Sequence, residues 1–167
     1  AAAGWTQASA ARIFAGGFLD AFVYLGGSGA TIGLAIAMAL SKNAHMKSIG
    51  RLSVVPGIFN INEPVIFGAP IVMNPILAIP FIIVPIICTI ISYILTRVGM
   101  IPMMMAKLPF TVPAPIGALI STNWSVMACI LVFVNFFIGL VIYYPFFKMY
   151  EKQLLEQEAA AKSTEEA

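Results

Sequence analysis

PGIFNINEPVIFGAP, residues 56–70, sets Asn60, Asn62 and Glu63 among isoleucine, valine and phenylalanine side chains. Pro56, Gly57, Pro64, Gly68 and Pro70 interrupt any continuous helix through it. An ionisable group in apolar surroundings is costly in a bilayer and marks a functional site by default. Irregular backbone at membrane depth is tolerated only where it lines a cavity or is buried in protein. The expectation is a re-entrant helical hairpin over residues 52–75 whose tip carries a polar binding site. The competing reading is a glutamate in an aqueous loop between two helices. The arms 52–59 and 65–73 are each on the order of 13 Å long at 1.5 Å per residue, less than half of a hydrocarbon core of about 30 Å. Neither arm spans, so together they dip in and return.

The rest of the chain supplies the membrane. Of its 167 residues, 60% are hydrophobic and 10% charged, with a mean hydropathy of +0.96; a soluble domain carries about 25% charge. Between Lys47 and Lys148 the only charged residues are Arg51, Glu63, Arg97 and Lys107. The net charge of +2 is too small to argue for a nucleic-acid partner. Cys88 and Cys129 lie in apolar runs without metal-ligand spacing and read as packing residues, so no metal or cofactor is expected. Neither cysteine has an activated setting, and no His/Asp/Ser constellation suggests a hydrolase. The N-terminus AAAGWTQASA lacks the basic region of a secretory signal. The chain opens on Ala1 rather than methionine, which reads as a piece of a longer protein.

In chain order, residues 1–16 read as a linker or interfacial segment with Trp5, Gln7 and Arg12. Residues 17–147 read as one membrane domain. Its first span is 17–40, with Asp20 near an end that water reaches. Gly26, Gly27, Ser28, Gly29 and Gly33 form a small-residue face there, with a GxxxG spacing. That face suits close helix packing and equally a bare backbone against which a ligand lies. Lys42, Lys47 and Arg51 mark loop 41–51 as cytoplasmic, and His45 reads as a solvated loop residue. A second span covers 76–96, kinked by Pro80 and Pro85. A proline-broken stretch, 109–123, offers Phe110, Thr111, Ser121, Thr122 and Asn123. The third span runs over 126–147 with Tyr143 and Tyr144 as interface residues, and 148–167 is a solvated, charged helical tail. The fold class is therefore all-α: a polytopic membrane protein fragment with three transmembrane helices and one re-entrant hairpin. A hairpin that returns to its own side places loop 41–51 and the tail together on the cytoplasmic face, with most of the Lys and Arg.

Four motifs, GGSGATIGL (26–34), PGIFNINEPVIFGAPIVMNP (56–75), PFTVPAPIGALIST (109–122) and VIYYPFFKMYEKQ (141–153), resemble in order the C-terminal part of a known family. It is the membrane (IIC) permease component of the bacterial sugar phosphotransferase system, in its lactose/cellobiose/chitobiose branch. The resemblance implies a homodimeric permease, dimerised through an upstream region, that binds a β-linked disaccharide and moves it inward. A partner IIB protein phosphorylates the sugar, so the chain is a transporter component and not itself an enzyme. It implies a multi-pass protein of the bacterial cell membrane with a cytoplasmic C-terminus. The family's sugar-binding glutamate falls on Glu63, with Asn62 and Asn60 beside it and Gly27 and Ser28 as candidate backbone contacts. Phe110 stands where the family commonly has tryptophan, keeping an aromatic face for a pyranose ring without the indole N–H. The family's sugar-site histidine lies upstream of the matched region, and nothing is carried over to His45. The alternative from the residues alone is an ion- or proton-coupled carrier with Glu63 as the coupling carboxylate.

Overall fold

The structure, a computed structural model, describes residues 13–14 and 17–165. The expected linker, with Trp5, Gln7 and Arg12, lies outside the described residues apart from Ile13 and Phe14. The chain runs α1 Phe18–Phe22, α2 Ile32–Ala39, α3 Ala44–Ile58, α4 Glu63–Gly68, a 3-10 turn Ile71–Met73, α5 Pro75–Arg97, α6 Ala114–Ser121 and α7 Val126–Glu165. No strand occurs among the described residues.

Among the described residues only α5 and α7 are helices long and apolar enough to cross a membrane. On α5 the residues Leu77, Pro80, Val84, Cys88, Ser92 and Thr96 are buried, one per turn, toward α7. The opposite face exposes Ile79, Ile83, Ile86, Ile90 and Ile94. A helix on a soluble protein turns polar groups outward; one that is apolar all round belongs in lipid or inside a larger assembly. The apolar part of α7, residues 126–147, is about 33 Å long and matches a hydrocarbon core. The helix then continues without a break through Pro145 into the charged tail.

The first expected span, 17–40, is not one continuous helix. Residues 17–40 split into α1 and α2 around an unwound segment, 23–31, in which Gly26, Gly27, Gly29 and Ala30 all have positive φ. Left-handed backbone at these positions ends any right-handed helix. The small residues still serve packing. A Cβ on Gly33 would lie 2.9 Å from the Leu140 backbone, so α2 and α7 touch main chain to main chain.

The expected loop 41–51 is also mostly helical, since α3 starts at Ala44. The arms around the NINEP motif are therefore unequal, 15 residues in α3 and 6 in α4. Asn43 caps α3, its side chain accepting from the Met46 N–H at 2.9 Å, and its amide donates to Glu158 of the tail at 2.7 Å. Asn43→Ala removes both bonds. It should lower stability by about 1–2 kcal/mol, read as a falling thermal midpoint of the protein in detergent.

The tail differs from expectation at Glu151, which is buried rather than solvated. It accepts from the Ser41 hydroxyl, from the Lys42 N–H at 2.6 Å and from Lys148 at 2.6 Å. Burial opposes its charge, but the bonds from Lys148, Ser41 and Lys42 outweigh that and hold its carboxyl down at about 2. The tail is thereby tied to the residues that lead into α3. Tyr143 is not an interface residue either: it is fully buried, and only Tyr144 is exposed.

Candidate functional site

Gly27, Ser28, Asn60, Asn62, Glu63 and Phe110 come from three separated segments, yet all six line one cleft of about 300 Å³. That is the lower end of the roughly 300–1,000 Å³ typical of small-molecule sites.

Asn60 joins the three segments. It sits at φ 61, a conformation asparagine accepts more readily than most residues. Its side-chain oxygen accepts from the Gly26 N–H at 3.0 Å, and its amide donates to the carbonyls of Phe110 at 2.7 Å and Val112 at 3.2 Å. Asn62 donates to the Ser28 carbonyl at 2.7 Å and the Thr31 hydroxyl at 3.1 Å. The Thr31 hydroxyl in turn donates to the Gly26 carbonyl at 2.7 Å. Both asparagines are nearly buried, and their amide protons are used within the protein. Their main work is to lock the unwound segment 23–31 and the 109–112 stretch around the cleft.

Glu63 differs. It is the first residue of α4, faces the cleft and is exposed rather than buried in apolar surroundings. Among the described residues it makes no hydrogen bond or ion pair, so both carboxylate oxygens remain available. Phe110 is also largely exposed, its ring offering a flat apolar wall.

The sequence reading missed two lining residues, Asp20 and Tyr24. Asp20 on α1 was expected at a water-facing span end. The break in that span folds α1 beside the NINEP segment instead. Asp20 places a second carboxylate in the cleft beside Glu63. Among the described residues no lysine or arginine lines the cleft. Two carboxylates, hydroxyl and amide dipoles and an aromatic wall suit a neutral, hydroxyl-rich guest that donates hydrogen bonds; an anion would be repelled.

A neighbouring cavity of about 180 Å³ shares Asn60 with the cleft but is otherwise walled by residues such as Leu25, Ile32, Ile58, Val132 and Phe136. It lacks the donors and acceptors to recognise a polar ligand. Among the described residues no group of three or more His, Cys, Asp or Glu side chains is placed to hold a metal ion.

Residues 1–85 match the family described as "Phosphotransferase system, EIIC". The chain is 43% identical over 150 residues to the lichenan permease IIC component of Bacillus subtilis, covering 88% of this chain and 33% of that protein. It is 44% identical to the cellobiose-specific EIIC component of Geobacillus stearothermophilus, covering 86% and 32%. It is 44% identical to the lactose-specific EIICB component of Streptococcus mutans, covering 87% and 26%. The crystal structure of ChbC, the IIC component of the N,N'-diacetylchitobiose-specific phosphotransferase system, superposes with a TM-score of 0.81 at 44% identity, over 85% of this chain and 33% of that one. The chain thus spans a third or less of the length of these relatives.

Proposed function

The chain belongs to the phosphotransferase system EIIC family, and on that premise we propose that it forms the sugar-binding part of a disaccharide permease. The guest is a β-linked disaccharide of the cellobiose, chitobiose or lactose type. It crosses the cell membrane inward and is phosphorylated by a partner IIB protein. The observation that carries this reading is the unpaired Glu63 carboxylate beside the Phe110 ring in a cleft of about 300 Å³. Two sugar hydroxyls donate to the two Glu63 oxygens, and charge-assisted bonds of this kind are roughly twice as strong as neutral ones. The C–H face of a pyranose ring lies on Phe110. Asp20 supplies a second acceptor from the opposite segment.

The α3–NINEP–α4 hairpin is re-entrant in this reading, presenting Glu63 at mid-depth, with the tail and residues 41–43 together on the cytoplasmic side. The lactose-specific relatives bear both designations, IIC and IIB, in one name, which supports a IIB partner. Dimerisation belongs to the upstream region. In this reading the chemistry of phosphoryl transfer stays with IIB; Cys88 is fully buried and does not line the cleft. Family membership does not favour the ion-coupled carrier.

Vesicles containing the full-length protein test this. Labelled cellobiose should accumulate as sugar phosphate only when phosphorylated IIB is supplied, and an uncoupler should leave that uptake intact. Unmodified sugar inside, with uptake abolished by the uncoupler, would overturn the reading in favour of the carrier.

A further inference from the structure

We propose that Asn135 and Tyr143 on α7, neither of which lines the cleft, are positioning residues for sugar recognition. They hold the two ends of the unwound segment so that Gly27 and Ser28 present their backbone to the guest. This rests on the sugar-binding reading above.

The Asn135 amide donates to the carbonyl of Phe22, the last residue of α1, at 2.8 Å, and to the Ser92 hydroxyl of α5 at 2.9 Å. The Tyr143 hydroxyl donates to the Gly29 carbonyl at 2.6 Å. Both residues are fully buried. They are two turns apart on α7, about 12 Å along its axis. The segment between their targets carries the cleft's Gly27 and Ser28.

The need for anchors follows from the backbone. Gly26, Gly27, Gly29 and Ala30 have φ of 80, 92, 80 and 55 degrees. An alanine in the left-handed region is strained, and such a conformation persists only where its surroundings over-determine it. Asn60, Asn62 and Thr31 hold the segment from the cleft side, through Gly26 and Ser28. From the far side, Asn135 and Tyr143 hold it through Phe22 and Gly29.

The residue types support the assignment. A leucine or a phenylalanine would fill either position more cheaply if only packing mattered, since a buried polar group costs unless it is bonded. Asn135 even keeps its side-chain oxygen without a partner among the described residues. What the amide supplies is its two donated bonds, one of which reaches the site through Phe22 and the other of which fixes the anchor to α5.

Tyr143→Phe and Asn135→Leu in the full-length protein, with Tyr144→Phe as an exposed control, test the proposal. Each anchor variant should raise the cellobiose Kd about tenfold, the scale of one lost ordering hydrogen bond. The KM for IIB-dependent phosphorylation should rise with it, with kcat at saturating sugar unchanged. Amide exchange should quicken over residues 23–31 and stay slow over α5, and Tyr144→Phe should change none of these. An unchanged Kd with a lowered thermal midpoint would overturn the proposal and leave both residues as packing only. Should Asn135→Leu fail to fold, Tyr143→Phe, which removes one oxygen, decides alone. Wild-type protein that binds no disaccharide would instead overturn the sugar reading, and exchange over 23–31 would still decide whether the anchors hold the segment.

Discussion

Glu63→Gln in the full-length protein weakens disaccharide binding by about 10- to 100-fold, the loss expected when hydrogen bonds to a charged acceptor become bonds to a neutral one. The thermal midpoint stays where it was, because Glu63 is exposed and bonds to no described residue. That combination separates a recognition group from a structural one. Binding is measured by titration with cellobiose, and phosphorylation separately at saturating sugar with phosphorylated IIB. A fall in phosphorylation alone would assign Glu63 to polarising the hydroxyl that accepts phosphate. Equal losses in both assign it to holding the sugar. A Kd equal to wild type would remove Glu63 from recognition, and with it the central support for the proposed site.

The second large effect is expected at Gly27. A Cβ there would lie 2.6 Å from the Asn62 side-chain oxygen and 2.8 Å from the Asn60 carbonyl, at a φ of 92 degrees. Asn62 cannot move aside freely, since it is bonded to Ser28 and Thr31. Gly27→Ala therefore combines a left-handed strain of about 1–3 kcal/mol with the loss of one or two hydrogen bonds of about 1 kcal/mol each. The thermal midpoint should fall by several degrees and cellobiose binding should drop below detection, because the NINEP segment and the unwound segment no longer meet. Wild-type affinity in this variant would show that the tight approach of Gly27 to Asn62 does not shape the cleft. Gly99, also at positive φ but with nothing within 4 Å of its Cβ, makes the matched control. Gly99→Ala should carry the same left-handed strain of about 1–3 kcal/mol and leave binding unchanged.

Much of the site was legible from local chemistry. Asn60, Asn62 and Glu63 stand out because polar groups in an apolar frame are expensive, and the proline and glycine spacing around them forbids a single rod. Gly27 and Ser28 stand out as part of a small-residue run that suits close helix packing and is compatible with a bare backbone against a ligand. What each residue does was not legible. The two asparagines looked like ligand contacts and are largely spent on carbonyls from other segments. Asp20 looked like a span end, and Glu151 and Tyr143 looked like surface residues. All three depend on partners 40 to more than 100 positions away in sequence.

The sequence by itself determined an all-helical apolar chain, its family and the short list of polar residues at its centre, because helix periodicity, proline and glycine geometry and the cost of charge in lipid are local properties. Only the tertiary structure decided that residues 17–40 break into two helices, that α3 begins at Ala44, and that α7 bonds to Phe22 and Gly29 on either side of the break. Those outcomes turn on hydrogen bonds between distant segments. A glycine-rich run keeps helical and unwound states close in energy, so the groups packed against it choose between them.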